Sequence, residues 1–265
     1  MKQSESDLDF LDETLRLCLK IKRSIQAVAR RNPAAGNELH LSYFFFAKAV
    51  TSLGAVRVLW AKGFFQDALM LTRSIFEACA QDLYIRTDRT RLSARYLAYD
   101  PIARHRLCVG MIRSAEGASR TSLRVWKDGA RRYGRAEKYA PYEYEQRGWS
   151  GKSLSEIVRL LKKKRYQGIW GDYEFFYTLS SAVSHSSPLS IQEYMRRPFR
   201  TSYRQLSHRR PYLRKLPVLA CYYCLRIGHC CAHDHYHLLE KTDALAGVLF
   251  EGYHLLRTLV EELER

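Results

Sequence analysis

Residues 68–85, ALMLTRSIFEACAQDLYI, constrain this chain more than any other stretch. Wound at 3.6 residues per turn, they are apolar over most of the circumference: Leu69, Leu71, Ile75, Phe76, Ala78, Cys79, Ala80, Leu83 and Ile85. A helix of that kind is covered on several sides, so the chain must provide further elements to cover it. One wedge of it is polar, with Arg73, Ser74, Glu77 and Gln81. Arg73 and Glu77 stand one turn apart and face the same neighbour. A charged pair on so apolar a helix is either a structural ion pair or half of a site.

The cover is written in helical periods. Residues 7–31 are amphipathic, with Leu8, Leu11, Leu15, Cys18, Ile25 and Val28 in phase, and Asn32-Pro33 ends them. A second helix spans 38–62. Its apolar part, 41–60, has the length of a bilayer span, but Lys48 and Arg57 are costly at that depth, so no membrane span is expected. Further helices are predicted at 64–86, 91–114 (kinked at Pro101), 154–164, 172–185, 216–240 and 243–264. Ser153-x-x-Glu156 reads as a capping box opening the helix at 154. The preceding WSGK is not a phosphate loop, because Gln146 stands where its first glycine would fall and no strand leads into it. Residues 117–148, with Arg120, Arg124, Lys127, Arg131, Arg132, Arg135 and Lys138, read as a basic irregular insertion. No strand and no repeat is evident. The expected fold is an all-α helical bundle: 1–37 an N-terminal helix and linker, 38–240 the bundle core, 241–265 a C-terminal helix on the same domain.

Charge narrows the partners. In 265 residues, 44 Lys and Arg face 27 Asp and Glu, a net +17, which favours polyanions. The segment 195–215 places Arg196, Arg197, Arg200, Arg204, Arg209 and Arg210 among Phe199, Tyr203 and Tyr212, a mixture suited to phosphate contact and base stacking. RNA or single-stranded DNA is the expected partner; an acidic protein would fit the same charges. The polar start, Met1 to Ser6, carries no secretory pattern, and seven Cys, an odd number set in helical stretches, suit a reducing cytoplasm.

Four stretches carry a resemblance: LTRSIFEACAQDLY (71–84), ARYLAYDPIARHRL (94–107), WSGKSLSEI (149–157) and YTLSSAVSHSSP (177–188). Together they resemble an uncharacterised bacterial domain-of-unknown-function family of helical proteins, over about residues 40–240. The layout is also similar to the HEPN class of four-helix domains, many of them metal-independent RNases of defence and toxin systems. That class carries an Arg one to two turns before a His. Here His185 matches the His, whereas the Arg position falls on Ser180 or Tyr177, so Arg73 from another helix would have to supply the cation. The implied catalytic set is Arg73, Glu77 and His185, with Tyr177. In it His185 would deprotonate a ribose 2′-OH, Arg73 would hold the phosphorane and Glu77 would orient them. A purely structural Arg–Glu pair is the competing reading. A second copy of the chain or an operon-encoded protein is the further partner such a role implies.

A second cluster, CYYCLRIGHCCAHDHYH (221–237), is dense in zinc-type ligands. His229, His233 and His237 lie one turn apart and could share a metal, making a metal-binding regulator. Zinc modules need a turn between ligand pairs, however, and only Gly228 interrupts this helical pattern. Cys224 and Cys231 also fall on an apolar stripe with Tyr223 and Ile227, so packing is the expectation and no cofactor is assigned. With no carboxylate pair at metal spacing and no serine elbow, the enzyme class left open is a metal-independent endoribonuclease.

Overall fold

The computed structural model describes residues 2–33, 36–138, 148–164, 168–178, 180–181, 195–197, 200–201 and 215–264. The fold is all-α. In order it contains α1 (Lys2–Arg31), α2 (Asn37–Lys62), α3 (Phe65–Ile85), a 3₁₀ turn (Arg86–Asp88), α4 (Arg89–Ala98), α5 (Asp100–Arg113), α6 (Arg120–Lys138), α7 (Leu154–Lys163) and α8 (Gly168–Asp172). A π-helical turn (Tyr173–Tyr177) continues α8, and α9 (Leu216–Leu238) and α10 (Asp243–Glu264) close the chain. Where no strand was expected, a small antiparallel ribbon pairs β1 (Met195–Arg197) with β2 (Arg200–Thr201). Two compact units result: Met1–Tyr84 with Val158–Arg265, and Ile85–Ile157. The stretch 38–240, read as one core, is therefore interrupted at 85–157, and both terminal helices belong to the first unit.

In the first unit α9 is the hub. It packs on α1, α2 and α10, and α1 in turn packs on α2 and α10. Pro217 fits its first turn because the amide it lacks would be unbonded there anyway. Close approach to α2 is set by Gly228: a Cβ there would stand 2.4 Å from a ring carbon of Phe46, itself fully buried. A left-handed Gly63 (φ 80°) ends α2, its N–H bonding the Trp60 carbonyl at 3.0 Å while Phe64 N–H reaches Leu59 at 2.9 Å. The indole of Trp60 then meets Phe65 across the turn, centroids 4.6 Å apart. In α3, Leu69, Ile75, Phe76 and Leu83 are fully buried as its sequence demands, each contributing roughly 1.5–3 kcal/mol. Phe76 meets Tyr223 of α9 edge-on at 5.0 Å.

α2 is long and apolar enough to cross a membrane by length and composition alone. Its Arg57 forms a two-bond fork with Asp12 of α1, both contacts 2.9 Å, and Phe45, Phe46, Leu53 and Val56 are buried. Asp7 of α1 accepts from Trp60, and burial pushes its carboxyl up to about 6 against that bond.

In the second unit, Pro101 splits the expected 91–114 helix into α4 and α5 rather than kinking it, since it cannot donate to Leu97. α5 and α6 pair closely and run antiparallel. A Cβ at Gly129 would lie 2.6 Å from the Cys108 Sγ, and Gly134 faces His105. Residues 120–138 are thus a regular helix and not an irregular insertion: Leu123, Trp126, Ala130 and Tyr133 give it an inward stripe. The capping box holds at α7, with Ser153 N–H donating to Glu156 Oε2 at 2.7 Å and Glu156 N–H to Ser153 Oγ at 3.3 Å. Ahead of it, Gly148 and Gly151 take left-handed φ values of 95° and 66°. Between them Trp149 is buried; its carbonyl accepts from Arg95 Nε at 2.7 Å and its ring meets Tyr96.

Candidate functional site

Three of the four residues expected to converge do so within the first unit. Arg73 Nε donates to Glu77 Oε1 at 3.0 Å, and the Arg73 Nη2 donates to the Tyr177 hydroxyl at 2.9 Å. The guanidinium also lies over the Tyr177 ring, 4.5 Å from its centroid, so one side chain meets both the π face and the hydroxyl. Arg73 is 16% exposed and Glu77 36%. The pair is therefore sheltered yet reachable. Burial pushes the Tyr177 phenol up, Glu77 adds to the rise, and Arg73 opposes it, so Tyr177 is neutral at pH 7 and can hold the guanidinium. His185 lies outside the described residues.

Tyr177 comes to Arg73 through the π-helical turn, which sequence periodicity does not disclose. Each π turn holds an extra residue, and such turns recur at functional sites. Thr178 Oγ1 donates to the Tyr173 carbonyl at 3.3 Å, and Tyr173 stacks on Tyr177, centroids 5.0 Å apart and planes within 16°. Phe76 meets the Tyr177 ring at 5.9 Å, the planes tilted by 38°. At the start of the turn stands Asp172, to which the Tyr223 hydroxyl donates. Burial raises that carboxyl, while the hydrogen bond and the charge of Arg226 draw it back. Arg226 in turn donates to the Tyr222 hydroxyl one turn away. The i, i+4 spacings of Tyr173 with Tyr177 and of Tyr222 with Arg226 are the local signals of this polar layer.

Much of the Cys/His stretch is core, whereas His233 and His237 are exposed. Cys221 and Cys224 are fully buried; Cys224 Sγ lies 3.9 Å from Cys18 Sγ and Cys221 Sγ 3.5 Å from the Phe10 carbonyl. Burial pushes the Cys221 thiol up to about 12 and Cys224 well above its ordinary value. Of the proposed triad, His233 and His237 touch at 4.2 Å, whereas His229 turns toward Gly252 of α10, its buried Nδ1 without a hydrogen-bond partner. Among the described residues no group of three or more His, Cys, Asp or Glu could hold a metal ion.

The basic segments part company. Arg196 and Arg197 lie on β1 and Arg200 on β2; Arg204, Arg209 and Arg210 lie outside the described residues. On α6, Arg120, Arg124, Lys127 and Arg131 are exposed at spacings of four, three and four, one face of the helix. Successive cations there are about 4.5–6 Å apart along the axis. Among the described side chains of that helix, Val125 is the one large apolar residue exposed.

One family model, that of a family of unknown function, matches residues 39–208, which spans the four motif stretches and ends before α9. No curated protein and no solved structure matches the chain.

Proposed function

The chain belongs to DUF5677, a family of unknown function, and from that premise we propose that it is a nucleic-acid-binding helical protein whose outer α6 face tracks the phosphates of a single strand. The observation that carries this reading is the row Arg120, Arg124, Lys127 and Arg131, exposed along one face. Charge density favours a polyanion, and the scarcity of apolar side chains on that face favours nucleic acid over a lipid surface, which would need them. The arginines 196, 197, 200, 204, 209 and 210 extend the same chemistry. The test is anisotropy of a labelled single-stranded RNA over a salt series. Changing the four α6 cations to Gln should flatten the slope of log affinity against log salt by about 3, alike for all sequences. Binding that ignores salt, or a slope untouched by these changes, would favour an acidic protein partner instead.

A second reading is favoured by the Arg73–Glu77–Tyr177 cluster: a metal-independent, HEPN-like RNase centre of a defence system, acting in the cytoplasm. In it His185 takes the 2′-OH proton, the 2′-oxygen attacks phosphorus, and the bond to the 5′-oxygen breaks, leaving a 2′,3′-cyclic phosphate. The 5′-oxygen recovers a proton from solvent, and Arg73 holds the phosphorane charge. Glu77 and Tyr177 are positioning residues, one bond each to Arg73. In excess EDTA, Arg73→Ala and His185→Ala should abolish cleavage of an RNA pool but leave salt-dependent binding. Cleavage that requires magnesium overturns these roles; binding without cleavage leaves the binding module.

A further inference from the structure

We propose that the outer face of α10 is the seam of an antiparallel dimer, its occupant a second copy of this chain. The contact is independent of both functional readings, and α10 lies beyond residues 39–208. One face of α10 is buried in its own unit through Leu245, Val248, Leu255 and Leu259. The opposite face is open: Asp243, Ala246, Gly247, Phe250, Tyr253, His254 and Arg257 are all exposed, Phe250 by 67% and Tyr253 by 60%. Concavities of about 550 Å³ towards α1 and 460 Å³ towards α9 flank it. The face is therefore a ridge, with room beside it for a second helix.

The side chains of that ridge complement themselves about Phe250. Seven positions before it stands an acid, Asp243, and seven after it a base, Arg257. Three and four before it are the small Gly247 and Ala246; three and four after it are the rings of Tyr253 and His254. Spacings of three, four and seven keep one stripe turned to a partner helix. A copy turned end for end about Phe250 sets Asp243 against the partner's Arg257 twice, and lays the two rings over the two small residues. A parallel copy would oppose like charges at both ends. Arg257 Nε donates to Glu261 Oε1 at 3.1 Å, and its two Nη groups can bridge to a second carboxylate. A Cβ at Gly247 would meet nothing within 4 Å, so packing inside the chain does not call for glycine there; a ring resting on the backbone does. The stretch 243–257 is about 22 Å long, a small contact, so the expected Kd is on the order of micromolar.

Sedimentation velocity of the intact chain, freed of nucleic acid and diluted from high to low micromolar concentration, tests this. The mass should fall from about twice 31.0 kDa to 31.0 kDa on dilution. Phe250→Ala and Gly247→Leu should each weaken association by about tenfold or more, with the thermal melt of the monomer unchanged, because both positions are exposed. Asp243→Arg and Arg257→Asp should each weaken it by about tenfold, since two attractions become two repulsions. Mixed one to one, those two variants should associate as tightly as the wild type, and so should the chain carrying both exchanges. Only antiparallel self-pairing predicts that recovery. A chain that stays monomeric at the highest concentration, undiminished association of Phe250→Ala, or a mixture no tighter than either single exchange would each overturn the proposal.

Discussion

Both units carry exposed ion pairs, and the unit built on α9 adds a layer of paired polar groups drawn inward. In the unit built on α9, polar groups are drawn inward and paired: Asp172 with Tyr223, Arg226 with Tyr222, Arg73 with Glu77 and Tyr177. In the α5–α6 hairpin, the described ion pairs lie on the exposed side. Arg104 pairs with Asp100 and Arg131 with Asp128 on exposed turns, and both pairs are within one helix. Inward pairs are expensive unless satisfied, so they fix geometry; outward ones contribute little to stability and are free to meet a partner. One unit is thus suited to holding a shape, the other to presenting a field.

The sharpest test of that contrast is a pair of glycines. Gly228→Ala drives a methyl into the ring of fully buried Phe46 and should cost about 1–3 kcal/mol, even after the roughly 1 kcal/mol that alanine returns as a helix former. Gly129→Ala meets only the Cys108 thiol, a half-buried side chain that can rotate, so its urea midpoint should hold or rise. Equal losses at both positions would show that the hairpin is packed as tightly as the hub.

Smaller effects sharpen the picture. Ser153→Ala removes the cap of α7 and should cost about 1 kcal/mol, with Ser153→Asp restoring most of it. Asp7 has a folded carboxyl raised to about 6 from 3.8, so the folded state holds its proton more tightly. Stability should therefore fall as pH rises from about 3.8 to 6 and stay lower above that. Asp7→Asn, which can still accept from Trp60, should gain on the order of 1 kcal/mol at pH 7 after solvent screening of this half-exposed group, and nothing near pH 3.5. A melting-temperature series across pH 3.5–7 checks it. Last and smallest, changing Arg120, Arg124, Lys127 and Arg131 to Gln should leave stability within about 0.5 kcal/mol, since the row repels itself. A large loss there would mean that the charges hold the hairpin together.

Much of the fold was legible because apolar periodicity is strong in α1, α2, α3, α9 and α10, and Gly63 and Ser153 mark helix ends by their own chemistry. α6 was misread for a physical reason. Its inward stripe is thin beside a dense run of Arg and Lys, while Gly129 and Gly134 sit where α5 comes close. The Arg73–Glu77 half of the site was legible from its i, i+4 spacing. Its partner Tyr177 lies 104 residues on, and no local spacing links it to Arg73. The Arg226–Tyr222 pair has i, i+4 spacing, but the link Asp172–Tyr223, 51 residues apart, needed the packing of α9 to be seen.

The π turn before Tyr177 carries a consequence for length rather than composition. A helix with one residue too many per turn is a counting device: remove that residue and everything downstream rotates by about 100° relative to the upstream face. Deleting exposed Glu174 would give back a regular helix, the easier structure to form, while swinging the Tyr177 phenol off Arg73. A point substitution at exposed Glu174 can be absorbed by side-chain adjustment, whereas an in-frame loss of its codon cannot, so this position tolerates a change of kind and not of number.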